Sequence, residues 1–353
     1  MRVSSLIIYE QLKRGLQGSL EELSRRSEEL ATGKRLLNPS DDVISSSRAL
    51  DYKVKISSSE QFMRNSTSAD LQFKFTDTVL GSVADTLLEL RKLTSTGINP
   101  SDPENRNFNA KRAELLRDQL FNFSNARFSQ RYIFSGFRTS QQAFVYNPST
   151  MRYEYQGDLG EMNIPLDNSS RVSVNIPGSR VFSPLLRGSN PSRLSDSSSV
   201  SYTQYSDPLT GVNTITVEIG IPGDPEYDTF TVTNVMDMAN ILSHAWRYED
   251  IDGTSIDERR AMHRIEALFS LIDDARIQVL EAQSEMATRH VFLNTETGRI
   301  KEFLNNLKNN LSKTEDADLT EVAVEIKKAE TGLEAMRLAS SEILSRSLLD
   351  FLK

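Results

Sequence analysis

The chain has 353 residues, of which 38% are apolar and 25% charged, with a net charge of −8. This composition supports about two or three domains with buried cores, and it excludes wholesale disorder. Without a basic block, nucleic-acid binding is not expected; without cysteine, disulfides and cysteine–zinc sites are excluded. No apolar run approaches the length of a bilayer span, and Met1 to Gly33 does not have the pattern of a secretory signal peptide.

Residues 1–37 are predicted to form a helix with a weak apolar stripe. Serine and glycine dilute the stripe, Gly33 suits a helix C-cap, and Asn38-Pro39 indicates a break. A diluted stripe gains little from pairing in isolation, so two interpretations stay open: an ordinary bundle terminus, or an assembly surface that orders only in a polymer. The stripe consists of Leu16, Leu20, Leu23 and Leu30.

A long helix is predicted to follow, capped by Ser40 or Asp41 and running to about Ser95. Its apolar register is sharpest from Ala69 to Thr94. After a loop, a third helix is predicted from about Glu104 to Gln130.

From Tyr132 onward the apolar spacing changes to the alternation of half-buried strands. Turn signals such as Pro177-Gly178 separate the alternating segments. Residues 189–206 are rich in serine and are predicted to be a mobile loop or linker. Asn234 to Trp246 is predicted to be a helix. The alternating positions are Tyr132–Phe137, Met151/Tyr153/Tyr155, Val172/Val174/Ile176, Ile215/Val217/Ile219 and Phe230/Val232.

Asp257 to Leu311 carries the longest helical pattern, with apolar residues spaced by threes and fours and no proline. After a polar break at Ser312–Asp318, a last helix is predicted to run to about residue 352. The long helices 41–95 and 257–311 match in length, as do 1–37 and 319–352, so each pair is expected to pack together. The stripe of the last helix consists of Leu319, Val322, Ile326, Leu333, Met336, Ile343, Leu348 and Phe351.

These elements predict an elongated α+β protein, with long coiled-coil-like helices from both termini and a β-rich insertion between them. Three domains are expected: terminal helical segments at 1–40 and 313–353, a long-helix bundle at 41–135 and 255–312, and an inserted outer domain at 136–254. Residues 136–183 could pack on the bundle instead.

The sequence indicates no catalytic, cofactor or metal site. His290 is expected to be a buried histidine with one hydrogen-bond partner. His263 and Glu266 have the spacing of half a metal site, but a solvated helix face is the better interpretation. Asp250 to Gly253 lacks the glycine position and the glutamate of a calcium loop, and fits a turn before the next helix.

Leu30-Ala-Thr-Gly-Lys-Arg-Leu-Leu-Asn-Pro-Ser-Asp-Asp42 resembles the N-terminal motif of the flagellin superfamily. Glu315 to Glu321 and Ser347 to Leu352 resemble two C-terminal segments of the same superfamily. The motif residues at the N-terminus are Gly33, Lys34, Arg35, Asn38, Pro39, Asp41 and Asp42.

Within that superfamily, Arg131-Tyr-Ile-Phe-Ser-Gly-Phe137 is similar to a motif of the hook-associated protein 3 (FlgL) family. Tyr155–Asp158 and Val172–Phe182 continue the resemblance, whereas 184–254 resembles no family. The motif residues here are Arg131, Tyr132, Phe134, Gly136 and Phe137.

The resemblance implies a structural subunit of the hook–filament junction that adapts the hook to the filament and templates flagellin assembly. It implies terminal helices that line a tube and are disordered in the monomer, an outward insertion, and export through the flagellar type III channel. The implied partners are like subunits in a ring or tube, the preceding hook-associated protein, flagellin, and an export chaperone at the C-terminal helix. Flagellin itself and a type III secretion effector or translocator remain alternatives.

Overall fold

The computed structural model describes residues 2–96, 103–187, 193–224 and 226–351, and side chains within these ranges except at 2–6, 8, 9, 96 and 342–351. Its helices are α1 (Arg2–Thr32), α2 (Val43–Thr96), α3 (Pro103–Ser124), α4 (Gly178–Phe182), α5 (Val235–Trp246), α6 (Glu258–Glu315) and α7 (Leu319–Phe351). Its strands are β1 (Arg127–Phe128), β2 (Arg131–Tyr132), β3 (Phe144–Asn147), β4 (Arg152–Tyr155), β5 (Asn163–Pro165), β6 (Arg171–Ser173), β7 (Val200–Ser206), β8 (Asn213–Ile219) and β9 (Asp228–Val232).

The chain divides into two compact units. Unit 1 combines Met1–Gln61 with Ile300–Lys353, and unit 2 is Phe62–Arg299. The α+β class, with long helices from both ends of the chain and a β-rich segment in the middle, is confirmed.

In unit 1, α1 packs against α7, and the two helices have 31 and 33 residues. The predicted C-cap at Gly33 is confirmed, since Gly33 adopts a left-handed φ of +68° and α1 ends at Thr32, so the helix does not extend over 33–37. The predicted cap of the second helix is wrong. Asp42, rather than Ser40 or Asp41, accepts hydrogen bonds from the backbone N–H groups of Ile44 and Ser45, at 3.1 and 3.0 Å.

In unit 2, α2 and α6 run antiparallel. Three contacts follow this order along the pair: Asp70 with His290, Asp77 with Gln283 and Arg91 with Asp273. The predicted seam of α2 lies in the core, with Phe73, Leu80 and Leu87 at 2% exposure or less. α6 continues to Glu315, so the polar break predicted at Ser312 begins only at Asp316.

Helix α3 packs against α5, and Arg117 donates to Asn240 across them at 3.0 Å. α3 ends at Ser124, not at the predicted Gln130. The chain reverses there because Ser129 and Gln130 both adopt positive φ, which places β1 antiparallel to β2.

Strands β7, β8 and β9 form an antiparallel sheet in that order, and β3–β4 and β5–β6 are hairpins. The alternation predicted in β8 is confirmed, since Ile215, Val217 and Ile219 are fully buried. The prediction of a mobile loop or linker over 189–206 is wrong for 200–206, because β7 spans Val200–Ser206 and pairs with β8 along its whole length; residues 189–192 lie outside the described ranges. Serine lowers strand propensity only weakly, and backbone pairing with a buried neighbour outweighs it.

Candidate assembly surfaces

Two of the motifs that carry the resemblance meet in unit 1. The Arg35 N–H donates to the carbonyl oxygen of Glu315 at 2.8 Å, and the Ala317 N–H donates to that of Gly33 at 2.9 Å. Lys34 and Asp316 form an isolated β-bridge between these bonds. The turn after α1 is therefore joined through its backbone to the turn before α7.

Glu315 lies at the centre of this connection and is only 6% exposed. Its carboxylate accepts from the Nζ of Lys34 at 2.6 Å and lies 2.8 Å from the Nζ of Lys53. Burial by itself raises the pKa of Glu315, but the hydrogen bonds from the two lysines outweigh burial and hold the pKa below its ordinary value. The two ion pairs thus connect the end of α6 to the turn after α1 and to α2 within unit 1.

The remaining residues of the N-terminal motif shape the chain between α1 and α2. The Asn38 N–H donates to the Asp41 carboxylate at 2.9 Å, and the Asp41 N–H donates back to the Asn38 carbonyl at 3.0 Å. Pro39 occupies the second position of this turn, where its fixed φ is favourable. These residues build a connection rather than a reactive centre.

Polar contacts fix the register of α1 on α7. Glu29 is 1% exposed and lies 2.8 Å from Arg26, which also reaches Glu325 of α7 at 2.7 Å. Further along the pair, the Ser19 hydroxyl lies 3.7 Å from the Met336 sulfur.

The predicted apolar stripes of α1 and α7 are poorly covered within the chain. Among the stripe residues with described side chains, Val322 alone is buried. Leu20, Leu30 and Leu319 remain 46%, 44% and 51% exposed. Half-buried stripe residues are Leu16, Leu23, Ile326, Leu333 and Met336, and the side chains of Ile343, Leu348 and Phe351 lie outside the described residues.

The first turns of α2 expose further apolar side chains that the sequence analysis did not single out. Val43, Ile44, Leu50 and Val54 are each more than half exposed. Val43 and Leu50 line a cavity of about 500 Å³ whose apolar wall also includes Leu36 and Leu37. Polar residues separate most of the exposed apolar residues in the sequence, so these do not form a regular apolar stripe that would have predicted a contact surface. Apolar exposure of this density is typical of a protein–protein contact.

The second motif lies in unit 2 and holds its hairpins together. Phe134 is fully buried and packs edge-on to Phe182, with 5.1 Å between the ring centroids. Its carbonyl accepts from the Gly178 N–H at 2.7 Å and from the Tyr155 hydroxyl at 3.0 Å. Arg131 and Tyr132 form β2, where the Arg127 guanidinium stacks over the Tyr132 ring. The motif residues and the later segments that carry the same resemblance therefore converge on one cluster.

Gly136, Phe137 and Asp158 complete this cluster. Asp158 accepts from the N–H groups of Phe137 and Gly160, both at 2.8 Å. Gly136 has φ +69° and lies so near Asp158 that a Cβ would come within 2.1 Å of its carboxylate. The Tyr155 hydroxyl lies within hydrogen-bond distance of the Phe134 and Asp158 carbonyls, at 3.0 and 2.9 Å, and burial raises the pKa of this tyrosine to about 12. Phe137 is left 64% exposed.

The candidate metal and histidine positions have structural roles. His290 bonds Asp70 at 2.7 Å and stacks on Phe73. The interpretation of His263 as part of a solvated face is wrong: it is 5% exposed and bonds Asp196 at 2.8 Å, because the 193–199 turn covers it. Within the described ranges, no group of three or more His, Cys, Asp or Glu is arranged to hold a metal, and no helix is long and apolar enough to cross a membrane.

Comparison with known proteins agrees with the motifs. Residues 3–139 match the family profile of the bacterial flagellin N-terminal helical region. The chain is 28% identical over 184 residues to flagellar hook-associated protein 3 of Escherichia coli, covering 52% of this chain and 57% of that protein. The chain therefore spans less than two thirds of the length of this curated relative. The resemblance to the hook-associated protein 3 family is confirmed.

Two solved structures share the fold. A putative flagellar hook-associated protein from Vibrio parahaemolyticus matches with a TM-score of 0.58 at 18% identity, covering 78% of this chain and all of that one. The flagellar junction protein FlgL from Legionella pneumophila matches with a TM-score of 0.54 at 20% identity, covering 76% of this chain and 100% of its own.

Proposed function

We propose that this chain is a structural subunit of the bacterial flagellum, forming the hook–filament junction that adapts the hook to the filament and templates flagellin assembly. The observation that carries the proposal is the half-exposed apolar stripe of α1 and α7, two helices whose register is fixed by the ion pair of Arg26 on α1 with Glu325 on α7. The two helices are held in a defined register, but their apolar side chains are not buried within the chain. This is expected of a subunit whose neighbouring copies cover those side chains.

The stripe residues, together with the exposed first turns of α2, are proposed as the contacts between copies in a ring or tube. The preceding hook-associated protein and flagellin are proposed to contact the same helices from either side. An export chaperone is proposed to cover α7 before assembly, because an apolar helix face of this kind requires a partner in solution.

The proposed site of action is the outside of the cell, reached unfolded through the flagellar export channel. Covalent cross-links would hinder passage of an unfolded chain, and this sequence has no cysteine. Catalysis is not part of the proposal, because the motif residues cap helices, close turns and form ion pairs.

Deletion of the encoding gene tests the junction role. We expect cells that still build hooks and export flagellin, but lose the flagellin to the medium because its template is missing. An immunoblot of the culture supernatant, read beside micrographs of the cells, measures both effects. Restoring the intact gene is the control.

Each alternative gives a different result. A filament protein would leave no flagellin outside the deleted cells. A secretion effector would leave filaments of normal length, and this result would rule out the junction role.

A further inference from the structure

A cleft of about 630 Å³ lies within unit 2, between strand β4, the end of β7 and the turn that leads into β8. None of its residues belongs to the motifs at 33–42 or 131–137. Most of its lining residues carry a polar group, and these groups include hydroxyl, amide, carboxylate and guanidinium. The polar side chains that the argument uses are Arg152, Glu154, Ser183, Tyr205, Asp207 and Thr214.

The floor of the cleft contains a hydroxyl without a partner. Ser183 is fully buried, and its Oγ has no hydrogen-bond partner among the described residues. The neighbouring floor residue Asn234 is satisfied, since its amide donates to the Tyr153 carbonyl at 2.6 Å. A buried hydroxyl without a partner is destabilising, and a ligand that supplied one would recover that free energy on binding.

The walls supply an aromatic surface and a guanidinium that has no hydrogen-bond partner among the described residues, although its charge acts on the buried carboxyl of Asp237. Tyr205 is 66% exposed where β7 approaches the cleft. The Arg152 guanidinium makes no ion pair or hydrogen bond with another described residue, whereas Glu154 and Asp207 accept from the neighbouring threonine hydroxyls of Thr150 and Thr210. The walls therefore carry both hydrogen-bond donors and acceptors beside the exposed tyrosine ring.

This combination selects among ligand classes. Two carboxylates against one guanidinium disfavour a phosphate or a nucleic acid, whose charge would be repelled. An extended peptide is the competing class, because β4 and β7 are outer strands of their sheets, but it would also require a row of apolar side-chain pockets, and Phe144 and Val212 are the apolar residues of this lining. A sugar ring presents hydroxyls that both donate and accept, and a C–H face that packs on tyrosine.

We propose that this cleft binds a neutral saccharide. Tyr205 packs against the sugar ring, Ser183 bonds a hydroxyl at the floor, and Arg152 with Glu154 orients the ring at the wall. The site gives the β-rich segment a recognition role in addition to the proposed assembly role, on which it does not depend.

Saturation-transfer NMR on the full chain tests the proposal. The probes are the methyl glycosides of glucose, galactose, mannose and N-acetylglucosamine, with a tetrapeptide mixture as the competing class. We expect at least one glycoside to bind, with Tyr205→Ala weakening it about tenfold or more. Ser183→Ala should weaken binding while leaving the melting temperature unchanged or higher, because it removes an unsatisfied buried group.

Phe108→Ala is the matched control, since Phe108 is 65% exposed on α3 and does not line the cleft. It should leave glycoside binding unchanged. The proposal is overturned if no glycoside binds, if Tyr205→Ala and Phe108→Ala have equal effects, or if only peptides bind. None of these results alters the deletion phenotype, so the assembly role is tested separately.

Discussion

The backbone conformation of the motif at 131–137 depends on Gly136. Its φ of +69° is costly for any residue with a Cβ, and Asp158 occupies the space that a Cβ would need. Gly298, by contrast, lies on an exposed face of α6 and has nothing within 4 Å of its added Cβ. A side chain is therefore excluded at Gly136 but would be tolerated at Gly298.

We predict that Gly136→Ala lowers the free energy of unfolding by about 2 kcal/mol or more, through strain and overlap with Asp158. Gly298→Ala should raise it by up to about 1 kcal/mol, because alanine loses less backbone entropy in a helix. Urea titrations of both variants measure the difference. Similar changes in both would contradict the structural role assigned to Gly136.

Glu315 makes the stability of unit 1 depend on pH. Its pKa in the folded chain lies below the ordinary value of 4.5. The ion pair therefore stabilises the fold above pH 4.5, and this contribution is lost as the pH falls through the lowered pKa.

We predict that Glu315→Gln lowers stability by about 1 kcal/mol at neutral pH, a modest value because both lysine partners are half-exposed. The difference from the natural chain should shrink as the pH falls below 4.5 and vanish below the lowered pKa of Glu315. Thermal melts across pH measure it, with Glu330→Gln as the control, because Glu330 pairs with Lys327 at the surface. A difference that persisted in acid would exclude the ion pair as its cause.

At the scale of elements, the two helix pairs differ in how much they bury. The α2–α6 pair contains fully buried residues such as Leu80, Val83 and Val279, whereas the α1–α7 pair leaves Leu20 and Leu319 about half exposed. A helix pair without a buried face gains little free energy from packing alone. The second pair therefore depends on contacts outside the chain under the proposed function.

We predict that Leu20→Asp leaves the melting temperature of the isolated chain nearly unchanged but blocks assembly. Ile300 is 5% exposed, so Ile300→Asp should cost several kcal/mol, roughly 3 or more, by burying a charge. Thermal melts and a motility assay of the two variants separate the effects. Equal losses of melting temperature would remove the distinction between the helix pairs.

At the scale of the whole molecule, the compact units and the proposed domains have different boundaries. Unit 1 extends to Gln61 and begins again at Ile300, whereas the proposed assembly segments are 1–40 and 313–353. Residues 43–61 and 300–312 belong to α2 and α6, which bury Ser59, Ile300 and Leu307. Within unit 1, we therefore expect the parts of α2 and α6 to resist local unfolding better than the terminal segments 1–40 and 313–353.

We predict that limited proteolysis of the isolated chain trims about 1–40 and 313–353 and leaves a resistant fragment near 41–312. The ordering of each residue costs about 1–2 kcal/mol of conformational entropy, and a half-exposed stripe does not recover it. Mass spectrometry of the fragments locates the cuts. Termini as resistant as the centre would contradict this division.

Much of the architecture could be predicted because it depends on local patterns. The helical seams, the Gly33 cap and the alternation in β8 follow from neighbouring residues, since each requires only a repeat or a preferred dihedral angle. The sequence by itself thus determined the long helices, strands β4, β6, β8 and β9, and the family resemblance, but it missed β3 and β5, and of the strand predicted over 132–137 only Tyr132 is extended in β2.

Only the tertiary structure decided which side chains meet. It brought Lys34 and Lys53 to Glu315, covered His263 with Asp196, turned a serine-rich stretch into β7, and left Ser183 without a partner in a polar cleft. The physical reason is that burial and pairing depend on residues far apart in the chain. The spacing of apolar residues within one helix or strand does not predict which distant residues come into contact when the chain folds.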